Sequence, residues 1–188
     1  MSGDDYRGDT YINLGTLYTQ GVELGINSKI SEKFNVSANV SLVSGKLKYR
    51  PHLIDTSQTQ CNHVQIFGNG AFISDKSVET LGLTRRPNSA NLSLTYKAVK
   101  NLELSANARH VGSRADVYYE STLGPYGALG TVAVEQYTLL DLSVRYLFFK
   151  GVSASLRVEN VLDKKYYEIN GFTTRGRGAY VTLRYTLL

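Results

Sequence analysis

The chain has 188 residues, enough for one ordinary domain, with 14 tyrosines, no tryptophan and a formal net charge of +5. Its lysines and arginines form no dense run, which argues against a nucleic-acid partner, and its single cysteine, Cys61, excludes an intrachain disulfide and a cysteine-rich zinc site. No stretch approaches the roughly 18 consecutive apolar residues of a membrane-crossing helix, and the polar, acidic run from Met1 to Thr10 does not read as a signal peptide.

Taken in chain order, seven segments alternate between oily and polar side chains. The oily positions are Val22, Leu24 and Ile26; then Phe34, Val36, Ala38, Val40 and Leu42; then Ala90, Leu92, Leu94 and Tyr96; then Leu102, Leu104, Ala106 and Ala108. Leu140, Leu142, Val144 and Tyr146 follow, then Val152, Ala154, Leu156 and Val158, and finally Val181, Leu183, Tyr185 and Leu187. Period two places each set on one face of a strand. Helices are not expected, because Thr, Val, Tyr and Ser fill the segments. No charge falls on the oily face. The opposite face carries Glu23, Glu103, Arg109, Asp141, Arg145, Arg157, Glu159 and Arg184.

The connections between strands fall into two classes. Ser31-Glu32-Lys33, Val99-Lys100-Asn101 and Lys150-Gly151 are tight turns. The other three, about Tyr49 to Thr84, about Tyr118 to Glu135 and about Asp163 to Arg177, are long. Phe34 to Val40, Leu102 to Ala108 and Val152 to Val158 share one pattern, so the repeated object is a hairpin. Oily and wet faces on long strands, with short turns at one end and long loops at the other, predict an all-β fold of the antiparallel transmembrane β-barrel type. In lipid an open sheet edge leaves backbone groups unpaired. Seven antiparallel strands cannot close antiparallel on themselves, so the expectation is a piece of a larger barrel.

Two stretches carry a family resemblance. One is Asn13-Leu14-Gly15 followed by Gln20-Gly21-Val22-Glu23-Leu24. The other is Val158-Glu159-Asn160-Val161-Leu162-Asp163-Lys164-Lys165-Tyr166-Tyr167, then Gly176-Arg177-Gly178 and the last strand, with Tyr137 to Leu142 between the two. Together they resemble the C-terminal part of TonB-dependent outer-membrane receptors. The resemblance implies that residues 1–188 are the C-terminal seven strands or so of a barrel of about 22 strands around a plug, with the plug and the signal peptide absent from the chain. It further implies bacterial outer-membrane localisation and import of a scarce metal chelate, such as a ferric siderophore or cobalamin. The partners implied are that ligand, outer-membrane lipid, and the TonB complex, which would engage the missing N-terminal part. A small independent barrel, with an eighth strand from Asp5 to Ile12, and a soluble all-β binding module are the alternatives.

Candidate site residues are few. Phe72 and Tyr126 lie in long loops and offer flat apolar faces to an organic chelate. Tyr118 and Tyr119 read as membrane-interface residues. The eight wet-face charges read as facing the barrel lumen, there forming cross-strand pairs and plug contacts. Cys61 and His63, with His52 nearby, are too few to make a metal site. Asn160 to Asp163 reads as a strand exit and turn. Nothing pairs a nucleophile with a base, so no enzyme, no catalytic residue, no metal and no cofactor are expected.

Overall fold

The computed structural model describes residues 15–49, 66–68, 71–73, 80–83, 85, 87–122 and 128–187. The described residues form twelve strands and no helix. They are β1 (Gly15–Lys29), β2 (Phe34–Tyr49), β3 (Ile66–Gly68), β4 (Ala71–Ile73), β5 (Thr80–Gly82), β6 (Ser89–Val99), β7 (Leu102–Val111), β8 (Arg114–Glu120), β9 (Ala128–Val134), β10 (Tyr137–Phe149), β11 (Val152–Glu159) and β12 (Gly178–Tyr185). The seven long alternating segments are β1, β2, β6, β7, β10, β11 and β12, and they hydrogen-bond in that order, with β5 added against β2. Each neighbour along this path is the next long strand in the chain, a meander. Tight turns of a few residues join β1 to β2, β6 to β7 and β10 to β11.

By contact density the chain divides into two units. One comprises Thr19–Ser44, Leu83–Tyr118 and Thr131–Leu188; the other comprises Met1–Tyr18, Gly45–Gly82 and Tyr119–Gly130.

The first unit holds most of the long sheet, and its register sorts the side chains. Phe34 lies opposite Tyr96, Tyr96 opposite Leu104, Leu104 opposite Val144, Val144 opposite Leu156, and Leu156 opposite Val181. One residue further along, the row reads Asn35, Thr95, Ser105, Ser143, Arg157 and Tyr180. A slip of one residue between any two strands would mix these rows, so the apolar pattern fixes the register. The apolar rows form one continuous face over six strands.

Nothing covers that face among the described residues. Leu24 is 69% exposed, Val181 74% and Leu183 78%, whereas among the described residues the buried apolar side chains are Val111, Val134 and Tyr137. A single-layer sheet cannot stabilise itself in water by burial, and soluble monomers rarely expose contiguous apolar patches larger than a few hundred Å². The face is suited to lipid.

Close approaches pin the sheet at two glycines. A Cβ on Gly21 would collide with the Leu42 carbonyl oxygen, so β1 and β2 pack backbone to backbone there. Gly151 has φ +86° in the β10–β11 turn, and a Cβ on it would lie 2.7 Å from the Thr186 carbonyl oxygen. The amide of Thr186 donates to the Gly151 carbonyl at 2.8 Å, tying the end of the chain to that turn. Bulges lie beside two of the turns, between Lys97 and Val99 and between Leu147 and Phe149.

The long connections depart from the sequence expectation of plain loops. They contribute β3, β4, β5, β8 and β9. Four of these form a second sheet in the order β4-β3-β9-β8, and β3 runs parallel to β9. The short length of β3 and β4, three residues each, hides their alternation from a reading based on period two.

Candidate functional site

The polar face is most elaborately built at the end of the sheet away from the tight turns, where the segment between β11 and β12 folds back on it. The exit from β11 is made by Asn160, which is buried and has φ +49°. Its side chain accepts from the Lys164 amide at 2.9 Å and donates to the Lys164 carbonyl at 2.9 Å, closing a turn on itself. Its own amide donates to Asp141 Oδ1 at 2.7 Å, on neighbouring β10. Asp163, also at positive φ, accepts from the Arg177 amide at 3.1 Å, which leads the chain into β12. Asn and Asp tolerate the left-handed conformation because their short side chains bond locally.

Two buried charges on β8 hold the rest of this segment. Arg114 Nη2 donates to the carbonyl oxygens of Tyr167 and Glu168, both at 2.6 Å. Its guanidinium lies 5.8 Å from the centre of the Tyr137 ring, a cation–π arrangement. Asp116, 1% exposed, takes the Asn170 amide at 2.8 Å and is ion-paired with Arg85. Tyr137 packs against Tyr166 with ring centres 4.4 Å apart, and Glu168 stands 3.6 Å from Arg109. Burial pushes the Tyr166 phenol above its ordinary pKa, with the Glu168 charge adding and Arg109 opposing. The Tyr166 ring therefore serves as a neutral packing and hydrogen-bonding group. Beyond the clamp, Lys164, Lys165, Tyr167, Thr174 and Arg175 line a cleft of about 260 Å³ within the same segment. The arrangement fixes a loop and presents cations and tyrosines; it contains no nucleophile with a base.

The eight charges singled out from the sequence all fall on the polar face. Glu23 accepts from Ser41 Oγ at 3.3 Å, and Glu103 lies in register between Lys97 and Arg145. Asp141 takes the Asn160 amide, and Arg109 reaches Glu168 in the loop. Arg157 pairs with Glu159 at 3.0 Å along one strand rather than across strands, and also covers the Tyr180 ring at 5.1 Å. Arg184 stands opposite Ser153. Among the other candidates, the backbone of Phe72 lies in β4 opposite Phe67, which in turn pairs with Gly130 of β9. The Phe72 side chain lies outside the described residues, as do the side chains of Tyr118 and Tyr119. Tyr126, Cys61, His52, His63 and the Asp5–Ile12 segment lie wholly outside them. Arg114, Asp116 and Glu168 were not singled out. Their partners lie about fifty residues away in the chain, and only a pair of charges just after Gly112-Ser113 hints at them.

Comparison with known proteins decides the family. The profile described as "TonB dependent receptor-like, beta-barrel" matches residues 1–161. The chain belongs to the TonB-dependent receptor β-barrel family. It is 28% identical over 158 residues to a probable TonB-dependent siderophore receptor, PiuA, of Acinetobacter baumannii, covering 84% of this chain and 18% of that protein. It is 28% identical over 88 residues to the vitamin B12 transporter BtuB of Vibrio cholerae, covering 47% of this chain and 14% of that one. The crystal structure of A. baumannii PiuA superposes with a TM-score of 0.65 at 22% identity, over 92% of this chain and 22% of the other. FpvA of P. aeruginosa bound to a pyoverdine superposes at 0.62 and 22% identity, over 90% and 19%. The chain thus spans about a fifth of the length of the relatives it matches. Membership of this receptor family makes it an outer-membrane β-barrel protein and not an enzyme.

Proposed function

We propose that this chain is the C-terminal barrel portion of an outer-membrane receptor that imports a scarce metal chelate, a ferric siderophore or a cobalamin, with energy delivered by the TonB complex. The observation that carries the reading is the uncharged apolar face running unbroken from β2 to β12, in a chain of this family. That face meets lipid. The polar face, with Glu23, Glu103, Arg109, Asp141, Arg145, Arg157, Glu159 and Arg184, lines the lumen of the whole barrel. The two outer strands of the path, β1 and β12, then pair with strands contributed by the remainder of the receptor, which also supplies the plug and the TonB-contacting segment. A siderophore receptor and a vitamin B12 transporter among the relatives support the ligand class.

Ligand contact belongs to the long-loop end. The backbone pairings Phe72–Phe67 and Phe67–Gly130 bring the connection after β2 and the connection before β10 into one small sheet. Two loops far apart in sequence therefore act together, and Phe72 and Tyr126 are the aromatic contacts proposed within them. The test is uptake by cells producing the intact receptor, with and without residues Asp55 to Asp75, in the presence and absence of TonB. Uptake of ferric siderophore or cobalamin should require TonB and weaken on deletion at equal surface abundance. Uptake indifferent to TonB, or unchanged by the deletion, would contradict the proposal.

A further inference from the structure

The tight-turn end of the sheet has a chemistry that import of a chelate does not require. Each of the three turns carries an exposed lysine: Lys33, Lys100 and Lys150. Lys29 and Lys97 stand beside them. The turns are neighbours in space, because the Lys97 amide donates to the Lys33 carbonyl at 2.8 Å and the Leu147 amide to the Asn101 carbonyl at 2.9 Å. The carboxylates here are engaged or turned inward. Glu32 is held by Lys29 at 2.7 Å, and Glu103 lies on the polar face between Lys97 and Arg145. The lysines of the turns are left as an exposed cationic rim.

Immediately inside this rim the apolar face turns aromatic. Phe34 packs edge-on against Tyr96 with centres 6.5 Å apart, Tyr146 packs against Phe148 at 5.0 Å, and Tyr185 is the last residue of β12. Aromatic rings of this kind sit at the boundary between hydrocarbon and headgroups. A strand advances about 3.3 Å per residue, so Lys33, Lys100 and Lys150, one to four residues beyond the rings, stand at the depth of the headgroup phosphates. Ammonium groups on flexible stems at that depth match phosphate monoanions and gain little from zwitterionic headgroups, whose charges cancel.

We propose that this rim binds anionic phospholipid headgroups, of the phosphatidylglycerol type, in the leaflet that the tight turns face. Lys33, Lys100 and Lys150 are the contacts. The inference rests on the membrane reading of the apolar face and adds a lipid preference to it.

The full chain, extracted from membranes in mild detergent, is equilibrated with mixed micelles of equal phosphatidylglycerol and phosphatidylcholine, and the retained lipid is counted by mass spectrometry. Phosphatidylglycerol should exceed phosphatidylcholine by roughly fivefold for each engaged lysine at low ionic strength, and the excess should fall as salt is added. Lys33→Gln, Lys100→Gln and Lys150→Gln together should bring the ratio near one, while the three Arg substitutions keep it. Retention of both lipids in equal amounts by the unmodified chain would overturn the proposal and leave the membrane reading standing; retention of neither would overturn both. An excess that survives the Gln substitutions, or that ignores salt, would also overturn it. So would equal retention accompanied by salt-sensitive binding of an acidic protein, which would assign the rim to that partner. Should the Gln variant lose its β-sheet circular dichroism, the salt titration of the unmodified chain decides alone.

Discussion

Asn160 does three things that no other residue type does together. It accepts the Lys164 amide, donates to the Lys164 carbonyl and adopts φ +49°. Alanine keeps none of these advantages. With two hydrogen bonds at about 1 kcal/mol each and a left-handed backbone costing roughly 1–2 kcal/mol more, Asn160→Ala should destabilise the folded chain by about 3–4 kcal/mol. Asn160→Asp keeps the acceptor and the backbone preference and should cost less. Urea unfolding in detergent, followed by circular dichroism, ranks the two; equal midpoints for Ala and the parent would show that the turn holds without its side chain. The strand exit at Asn160 to Asp163 was readable in the sequence, because Asn and Asp in such a setting announce a turn. The buried pair Arg114 and Asp116 was not. Nothing local distinguishes a charge destined for a carbonyl cluster from one facing water, and the partners Tyr167, Glu168 and Asn170 are joined to β8 only by the fold.

At the scale of strands, period two was sufficient. All seven long strands lie where alternation puts them, and the rows formed by Leu104, Val144 and Leu156 on one face and Ser105, Ser143 and Arg157 on the other follow from register. The five short strands were not read from the sequence: β3, β4 and β5 have three residues each, too few to establish a period, while β8 and β9, seven residues each, fall largely in a stretch read as a long connection, and β9 pairs in parallel with β3 across a long stretch of sequence. The energetic counterpart of the two rows is a contrast between adjacent positions. Leu104→Arg or Val144→Arg should cost roughly 2–4 kcal/mol of assembly into a bilayer if these residues lie near its midplane, while Ser105→Arg or Ser143→Arg should cost much less. Folding into vesicles, measured as the protected fraction after protease treatment, provides the comparison. Equal tolerance in the two rows would mean that neither face is committed to lipid.

For the whole molecule, the sheet is a single layer with two edges, β1 and β12, and a sidedness in chemistry as well as in loop length. Tight turns with lysines and aromatic rings mark one end; the clamp of the β11–β12 segment and the small second sheet belong to the long connections. A layer of this kind becomes stable when lipid takes one face and further protein takes the edges and the other face, which is how the barrel of a TonB-dependent receptor is built. The central claim, that the apolar face meets lipid, is tested most directly by site-specific labelling. Cys61 is replaced by Ser, and single cysteines are placed at Leu142, Ser143, Val144 and Arg145, each carrying a small fluorophore in the membrane-assembled chain. Brominated lipids should quench the labels at 142 and 144 strongly and those at 143 and 145 weakly. Equal quenching along the strand, or the opposite alternation, would contradict the assignment of the two faces.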